Sequence, residues 1–286
     1  MTQPSGVEAA NRSIRPAALD PIDLGPTEFD RTTEPQPTDR PGVFEVELSD
    51  LWASLVGVHG GSLTSIAVRS AELVESERRV RTLTTGFLAS AQSGPAEVTV
   101  REVRRGRSVT TLAVDLEQRG RTIVTTRVTL VAPTGGIDWS TWTAATLPPP
   151  EECVPIAPPD HYAHFRQADG LLDPSSVPFT GGQRTIVRGY VRPIEARPVD
   201  AAWLAMISDW FPPPAFVRLD PPAGGISVDL TTHIHHTLPR LTDEWLIASF
   251  EIKNSTGGLA TEHGWIATTG GTLLAESLQT RWTARG

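Results

Sequence analysis

The sequence contains little cysteine, no long apolar run and no excess of positive charge. Its single cysteine, Cys153, excludes an intramolecular disulfide and a multi-cysteine zinc site, and such scarcity is typical of a reducing compartment. Runs of about 18 apolar residues, which a membrane-spanning helix needs, do not occur, and the first residues lack the apolar core of a signal peptide. We therefore expect no integral membrane segment and predict a cytoplasmic protein.

The acidic charge balance excludes one class of partner. The 286 residues carry a formal net charge of −8, and the isoelectric point is near 5.4. A non-specific nucleic-acid binder needs a basic face that displaces counterions from phosphates. We therefore expect no nucleic-acid partner. The length is sufficient for two domains with sizeable cores.

Composition divides the chain into four segments. Residues 1–40 are rich in Pro, Thr, Asp and Arg without lasting periodicity, which is typical of a disordered tail. Residues 41–135 and 181–286 carry regular apolar patterns and predict an N-terminal and a C-terminal folded unit. Between them, residues 136–180 contain many prolines, which cannot donate to a sheet, and this predicts a linker.

The two units repeat one order of elements, which is strand, helix and four strands. Apolar residues spaced three or four apart predict helices over Gly61–Val74 and Ala201–Asp209. Glycine-containing separators predict hairpins between the strands. The predicted strands are Val43–Leu48, Val80–Ala89, Ala96–Arg104, Ser108–Gln118, Arg121–Val131, Arg184–Arg192, Gly225–His236, Glu244–Lys253, Leu259–Thr268 and Thr272–Trp282. The predicted fold class is α+β, with two tandem copies that each wrap an antiparallel sheet round one central helix.

Short motifs in both halves are shared with a known family. They are Val58–Ser62, Gly86–Leu88, Gly106–Ser108 and Gln118–Gly120 in the first half, and Ile207–Asp209, Ser227–Asp229, Glu244–Leu246 and Gly271–Gln279 in the second. In this order, over about residues 42–285, the chain resembles the type II acyl-CoA thioesterase family. The resemblance implies a tandem double hotdog fold and thioester hydrolysis, for which we expect no cofactor and no metal.

The resemblance also implies a site in the C-terminal unit. In that family an aspartate on the second helix, a hydroxyl on the next strand and a glutamine on the last strand hold a water against a thioester. These positions match Asp209, Ser227 and Gln279. An alignment counted from Glu244–Leu246 instead places Asp229 at the hydroxyl position, so Asp229 is a second candidate there and a candidate substrate-binding residue.

The chemistry of these residue types suits the implied roles. Asp209 ends a helix, where the dipole disfavours an ionised carboxylate, so we predict a raised pKa and a general base; a contact with the following turn is the alternative. Ser227 can both donate and accept, as orienting a water requires, although a solvated strand face also accepts serine. Gln279 shares a strand face with small and apolar residues, a face suited to an acyl channel. An exposed strand glutamine is the alternative.

A glycine pair at the start of the first helix is a candidate for binding substrate. His59, Gly60 and Gly61 place backbone amides at a helix N-terminus, where N–H groups lack intrahelical partners and attract developing negative charge. We predict that they contact the substrate or its oxyanion. Ordinary turn chemistry is the alternative.

Two other clusters favour a non-functional interpretation. The segment His233–His236, where the family usually has aromatic residues, lacks the carboxylate pattern of a metal site, so we expect no metal. Gly257 and Gly258 replace the family's arginine-glycine pair. The arginines of Arg101–Arg107 have the charge to meet the phosphates of coenzyme A, but solvated turn charges are the favoured interpretation.

These residues support one leading function and two alternatives. The leading hypothesis is an acyl-CoA thioester hydrolase that releases a fatty acid and free coenzyme A, with acyl-CoA as the partner. The second is a catalytically weak acyl-thioester binding protein. A hotdog hydratase needs a histidine five residues after the aspartate, where Asp209 is followed by Pro214. Association of copies through the hotdog sheets is compatible with this fold.

Overall fold

The computed structural model of the chain describes residues 25–133, 137, 139–157, 159, 161–218 and 225–283. The first elements are α1 (Glu28–Thr33), β1 (Gln36–Pro37), β2 (Val43–Leu48), β3 (Ala53–Ser54), β4 (Gly57–Val58), α2 (Gly60–Val74), β5 (Arg79–Phe87), β6 (Gly94–Arg105), β7 (Val109–Gln118) and β8 (Arg121–Val131). The later elements are β9 (Val154–Pro155), β10 (Asp169–Leu172), β11 (Ile186–Arg192), β12 (Arg197–Val199), α3 (Ala201–Trp210), β13 (Ile226–Ile234), β14 (Leu238–Thr242), β15 (Leu246–Thr256), β16 (Leu259–Thr268) and β17 (Leu273–Trp282). No helix among these residues is long and apolar enough to cross a membrane.

Thirteen strands form one antiparallel sheet that runs through both halves. Their order is β1-β2-β6-β7-β8-β5-β13-β17-β16-β15-β11-β10-β9. The halves join where β5 pairs with β13, with Gly86 opposite Asp229 and Thr82 opposite His233. The prediction of two separate sheets is therefore wrong. An unpaired strand edge exposes a row of N–H and C=O groups, and pairing the edges of β5 and β13 satisfies both rows.

The two long helices pack on each other as well as on the sheet. Helix α2 contacts β5 to β8, and α3 contacts β13, β16 and β17. Between the helices the approach is close, because a Cβ added to Gly61 would lie 2.5 Å from the backbone oxygen of Met206. The Ser65 hydroxyl donates a hydrogen bond to the Ala202 carbonyl at 2.8 Å. One core cluster contains side chains from both helices and from strands of both halves.

A short helix near the N terminus corrects the predicted tail. In α1 the ring of Phe29 is 4% exposed and lies 5.9 Å from the Trp52 ring and 5.1 Å from the Trp203 ring. Strand β1 then joins the sheet beside β2. The prediction of disorder is therefore wrong from α1 to β1, because one aromatic side chain gives this segment enough buried surface to order it. Residues 1–24 of the predicted tail lie outside the described residues.

Part of the predicted linker also belongs to the sheet. Strand β10 pairs with β11, and β9 pairs with β10 at the outer edge. A proline is tolerated there because an edge strand has one side without ladder bonds, and Pro155 lies in β9. Between these strands, the 3-10 turn Ala163–Gln167 is held by the Trp210 indole, which donates to the His164 carbonyl at 2.9 Å. The linker prediction is therefore wrong at β9 and β10.

Candidate active site

Three side chains predicted to act together meet at the end of α3. Asp209 lies in its last turn and is 7% exposed. Its Oδ1 accepts a hydrogen bond from the Ser227 hydroxyl at 2.9 Å and another from Gln279 Nε2 at 2.6 Å. Gln279 Nε2 also donates to Ser227 Oγ at 2.7 Å. The fold thus brings together residues from α3, β13 and β17.

A β-bulge turns Ser227 towards this cluster. Regular alternation predicts Ser227 and Asp229 on one face of the strand, but the pairing of β13 with β17 shifts register between these two residues. A bulge of this kind inserts one extra residue and re-aims the side chains beyond it. Asp229 remains exposed, and its carboxylate accepts a hydrogen bond from the Thr280 amide at 3.0 Å. The structure therefore places Ser227, and not Asp229, beside Asp209.

The start of α2 lies on the other side of the Asp209 carboxylate. His59 Nε2 lies 3.0 Å from the Asp209 carbonyl oxygen and 3.5 Å from Oδ2. A Cβ added to Gly60 would lie 2.7 Å from the same Oδ2 and 2.8 Å from the Phe87 ring. The missing side chain of Gly61 lets α2 approach α3. His59 and Gly60 therefore belong to the cluster, and Gly61 supports the packing of the helices.

A buried arginine and glutamate complete the cluster, and sequence reasoning missed both. Arg281 Nη2 lies 3.3 Å from Asp209 Oδ1, and Arg281 Nε donates to Glu262 Oε2 at 2.6 Å. Arg281 lies two residues after Gln279 on β17, so strand alternation places both on one face. That spacing was the available signal. Glu262 is the residue of β16 paired with Gln279 in the sheet.

Comparison with known proteins identifies the family. A model of the acyl-CoA thioesterase N-terminal domain matches residues 48–131, and a model of the C-terminal domain of the same enzymes matches residues 150–282. The chain belongs to the acyl-CoA thioesterase family. The region that matches the N-terminal domain contains His59, Gly60 and Gly61. The region that matches the C-terminal domain contains the rest of the cluster, which is Asp209, Ser227, Glu262, Gln279 and Arg281.

Solved structures support the fold of this thioesterase-family chain. A conserved hot dog fold protein of unknown function from Alicyclobacillus acidocaldarius superposes with a TM-score of 0.81 at 21% identity, covering 90% of this chain and 98% of that chain. An acyl-CoA thioesterase II from Mycobacterium marinum gives 0.73 at 20% identity, covering 91% and 98%. An uncharacterized protein of Mycobacterium tuberculosis is 27% identical over 232 residues, which are 71% of this chain and 78% of that protein.

The pKa of Asp209 is lowered, and not raised as the sequence predicted. Burial alone would raise the pKa of Asp209, but the Arg281 cation and the hydrogen bonds from Gln279 and Ser227 outweigh it and lower the pKa below its usual value. The prediction of a raised pKa is therefore wrong. It considered the helix dipole and could not include a cation 72 residues away. The carboxylate is thus ionised at neutral pH.

A histidine from the predicted linker stacks on the site of this thioesterase-family chain. The His164 ring lies 4.4 Å from the His59 ring with the planes 7° apart, and its Nδ1 lies 3.0 Å from the Ala53 carbonyl oxygen. Burial lowers the pKa of His59, and burial together with His59 lowers the pKa of His164 to about 3. Both rings are therefore neutral at pH 7. No signal in the proline-rich sequence around His164 predicted this contact.

The histidine segment and the arginine segment singled out in the sequence make ion-pair contacts away from this cluster. His235 Nε2 is 2.8 Å from Glu276 Oε2, and Arg105 Nη1 is 2.5 Å from Glu75 Oε2. Within the described part of the chain, no group of three or more His, Cys, Asp or Glu side chains is arranged to hold a metal ion. The cluster around Asp209 thus offers a carboxylate, a hydroxyl and a side-chain amide beside the N-terminus of α2.

Proposed function

We propose that this protein hydrolyses acyl-CoA thioesters by the attack of a water molecule, releasing a fatty acid and free coenzyme A. The observation that supports this best is the Asp209 carboxylate. One of its oxygens is held by a hydroxyl and an amide, and the other faces the start of α2. The family matches support the thioester class of substrate.

The two carboxylate oxygens have different tasks in this proposal. Oδ1 accepts hydrogen bonds from Ser227 and Gln279 and contacts Arg281, so its lone pairs are occupied. Oδ2 lies towards Gly60 and receives the proton of the attacking water. Because the lowered pKa keeps Asp209 ionised at neutral pH, the base is always in its active form. Two fixed donors on Oδ1 also prevent the carboxylate from rotating.

The start of α2 supplies the second part of the chemistry. Attack on a thioester carbonyl places negative charge on its oxygen, and the free amides at the beginning of a helix stabilise that charge. The amides of Gly60 and Gly61 occupy this position. Collapse of the intermediate breaks the carbon–sulfur bond, and coenzyme A leaves as a thiolate, which is a good leaving group because thiols have a pKa near 8.5. Water thus supplies the oxygen of the fatty acid.

Gln279 offers one further polar atom to the water or the substrate. Its Oε1 is buried and has no hydrogen-bond partner among the described residues. An unpaired buried oxygen is costly unless a bound molecule donates to it. We assign that donor to the attacking water, whose second hydrogen then points towards Gln279 while the first goes to Asp209.

The experiment that tests this proposal measures thiol release from a series of acyl-CoA chain lengths. Asp209→Asn should lower kcat by about 100-fold or more, because the proton acceptor is lost. Ser227→Ala should lower kcat by a smaller factor, because it removes one hydrogen bond to the base. Asp229→Ala is the matched control from the same strand and should leave kcat near the wild-type value.

The alternative is an acyl-thioester binding protein with weak catalysis. The ion pair of Asp209 with Arg281 favours it, because a carboxylate with a lowered pKa is a weaker base. Isothermal titration with a non-hydrolysable acyl-CoA thioether separates the two functions. Tight binding without any hydrolysis that depends on Asp209 would replace the enzyme proposal with the binding one. Equal losses in Ser227→Ala and Asp229→Ala would contradict the proposed site.

A further inference from the structure

A buried ion pair of Arg281 and Glu262 lies beside Asp209, and the proton transfer proposed above does not use it. Arg281 is 4% exposed and Glu262 is 1% exposed. All five N–H groups of the guanidinium are used. Nε and Nη2 donate to the two oxygens of Glu262 at 2.6 and 3.2 Å, Nη2 also donates to Asp209 Oδ1 at 3.3 Å, and Nη1 donates to Ser227 Oγ at 3.2 Å and to the Gly225 carbonyl at 3.1 Å.

This pattern fixes the relative positions of two groups in the site. The guanidinium is planar and rigid, so its bonds to Asp209 and Ser227 hold both acceptors at one set of distances. The Glu262 carboxylate accepts two parallel hydrogen bonds from the Nε and Nη2 edge of the guanidinium, and this pair of bonds prevents the guanidinium from turning. Stability alone does not account for such a pair, since well-packed apolar residues in place of a buried ion pair are often as stabilising.

We infer that Arg281 is a positioning residue that holds the Asp209 carboxylate and the Ser227 hydroxyl in their reactive arrangement, and that Glu262 holds Arg281 in place. This inference rests on the proposed function and deepens it. It assigns the pair a task in hydrolysis that neither residue performs by touching the substrate.

The titratable groups that face Asp209 make this inference measurable. Among the described residues they are Arg281 from β17, Glu262 from β16, His59 before α2 and His164 from the 3-10 turn. Burial lowers the pKa of both histidines and leaves them neutral, so Arg281 is the one cation of these four at pH 7. Without Arg281, the pKa of Asp209 rises.

The test compares the pH profiles of hydrolysis in two variants with that of the wild type. The first, Arg281→Met with Glu262→Gln, removes both charges together and so avoids an unpaired buried glutamate. We expect kcat on the neutral plateau to fall about tenfold or more with little change in KM, because a charge-assisted hydrogen bond to the base is lost. The acid limb, which marks protonation of Asp209, should move to higher pH.

The second variant separates charge from geometry. Arg281→Lys keeps the cation but has three donors on one nitrogen, which cannot reach Glu262, Asp209 and Ser227 together. We expect the plateau to fall as in the double variant while the acid limb stays near its wild-type position. If Arg281 had a purely structural role, the variants would have a lower melting temperature. The folded protein would still show the wild-type kcat plateau and the wild-type acid limb of the pH profile.

A folded double variant with wild-type kcat and a wild-type acid limb overturns the inference. If the double variant does not fold, the single variant Glu262→Gln takes its place in the test. An unchanged kcat in Glu262→Gln also overturns the inference. If Asp209→Asn hydrolyses acyl-CoA at the wild-type rate, the role proposed for Asp209 as the base fails. A ¹³C titration of the Asp209 carboxyl group then tests the contact separately. A higher pKa of Asp209 without Arg281 supports the electrostatic contact, and an unchanged pKa rejects it.

Discussion

At the scale of single residues, the smallest side chain in the site is the most restrictive. Gly60 leaves room between α2 and the Asp209 carboxylate, and a methyl group there would lie 2.7 Å from Oδ2 and 2.8 Å from Phe87. We predict that Gly60→Ala lowers kcat/KM by about 10- to 100-fold, because a displacement of about 1 Å at a catalytic group has effects of this size. Steady-state kinetics measures it.

Gly86→Ala is the matched control for that substitution. It lies on the adjacent β5, where a new Cβ would meet Thr125 at 3.5 Å, an ordinary contact. Its kinetics should remain close to wild type. If the two variants have equal activity, the space beside Gly60 does not matter for the reaction.

The sequence predicted part of this site and missed part of it for identifiable reasons. Asp209, Ser227 and Gln279 followed from the resemblance, and hydrogen bonds join the three side chains in the fold. The orientation of Ser227 depends on a bulge, which simple alternation cannot show. The pattern of β16 predicts an exposed Glu262, because nothing in the neighbouring sequence indicates that the Arg281 side chain reaches it.

At the scale of elements, α1 depends on one aromatic anchor. Phe29 packs edge-on against two tryptophans, and the Arg197 guanidinium lies 4.3 Å above its ring. We predict that Phe29→Ala destabilises the protein by about 3 kcal/mol or more, the usual cost of removing a buried phenylalanine. The melting temperature should fall by several degrees.

The control for this prediction is Arg31→Ala on the exposed side of α1. Surface substitutions of this kind change stability by about 0.5 kcal/mol or less. Differential scanning calorimetry compares the two variants. A melting temperature unaffected by Phe29→Ala would mean that α1 does not contribute to the folded body.

Element prediction succeeded where periodicity was long and failed where it was short. The helix predicted over Gly61–Val74 and the strands β6 to β8 agree with the structure to within about two residues. Helix α1 has six residues, too few for a period to show, and its order comes from contacts made with distant residues. Tertiary contact also orders β10, which pairs with β11.

At the scale of the whole molecule, each half covers surface that the other needs covered. Helix α2 packs on α3, and the edge of β5 pairs with β13. We predict that residues 1–135 and 136–286, expressed separately, do not give folded monomers, and that co-expression restores a folded complex. Size-exclusion chromatography and circular dichroism measure this. A separate half that is monomeric and melts cooperatively would contradict the prediction.

The repeat of elements in the sequence predicted two units, and the family models match an N-terminal and a C-terminal domain in turn. How the units join was not readable. An edge-to-edge pairing leaves no local mark in either strand, because its hydrogen bonds are made by backbone N–H and C=O groups that nearly every residue carries. The prediction of two sheets was wrong because the pairing of β5 with β13 joins them into one.

The pairing of β5 with β13 also sets an order of events during synthesis. Thr84 and Thr231, which meet across this junction, are 147 residues apart in the chain. At the usual rate of about 5–20 residues per second, the ribosome needs roughly 7 to 30 s to make the intervening residues. During that time the nascent chain carries an open strand edge, and Arg79 and Arg81 on β5 place charges where another chain would otherwise add a strand.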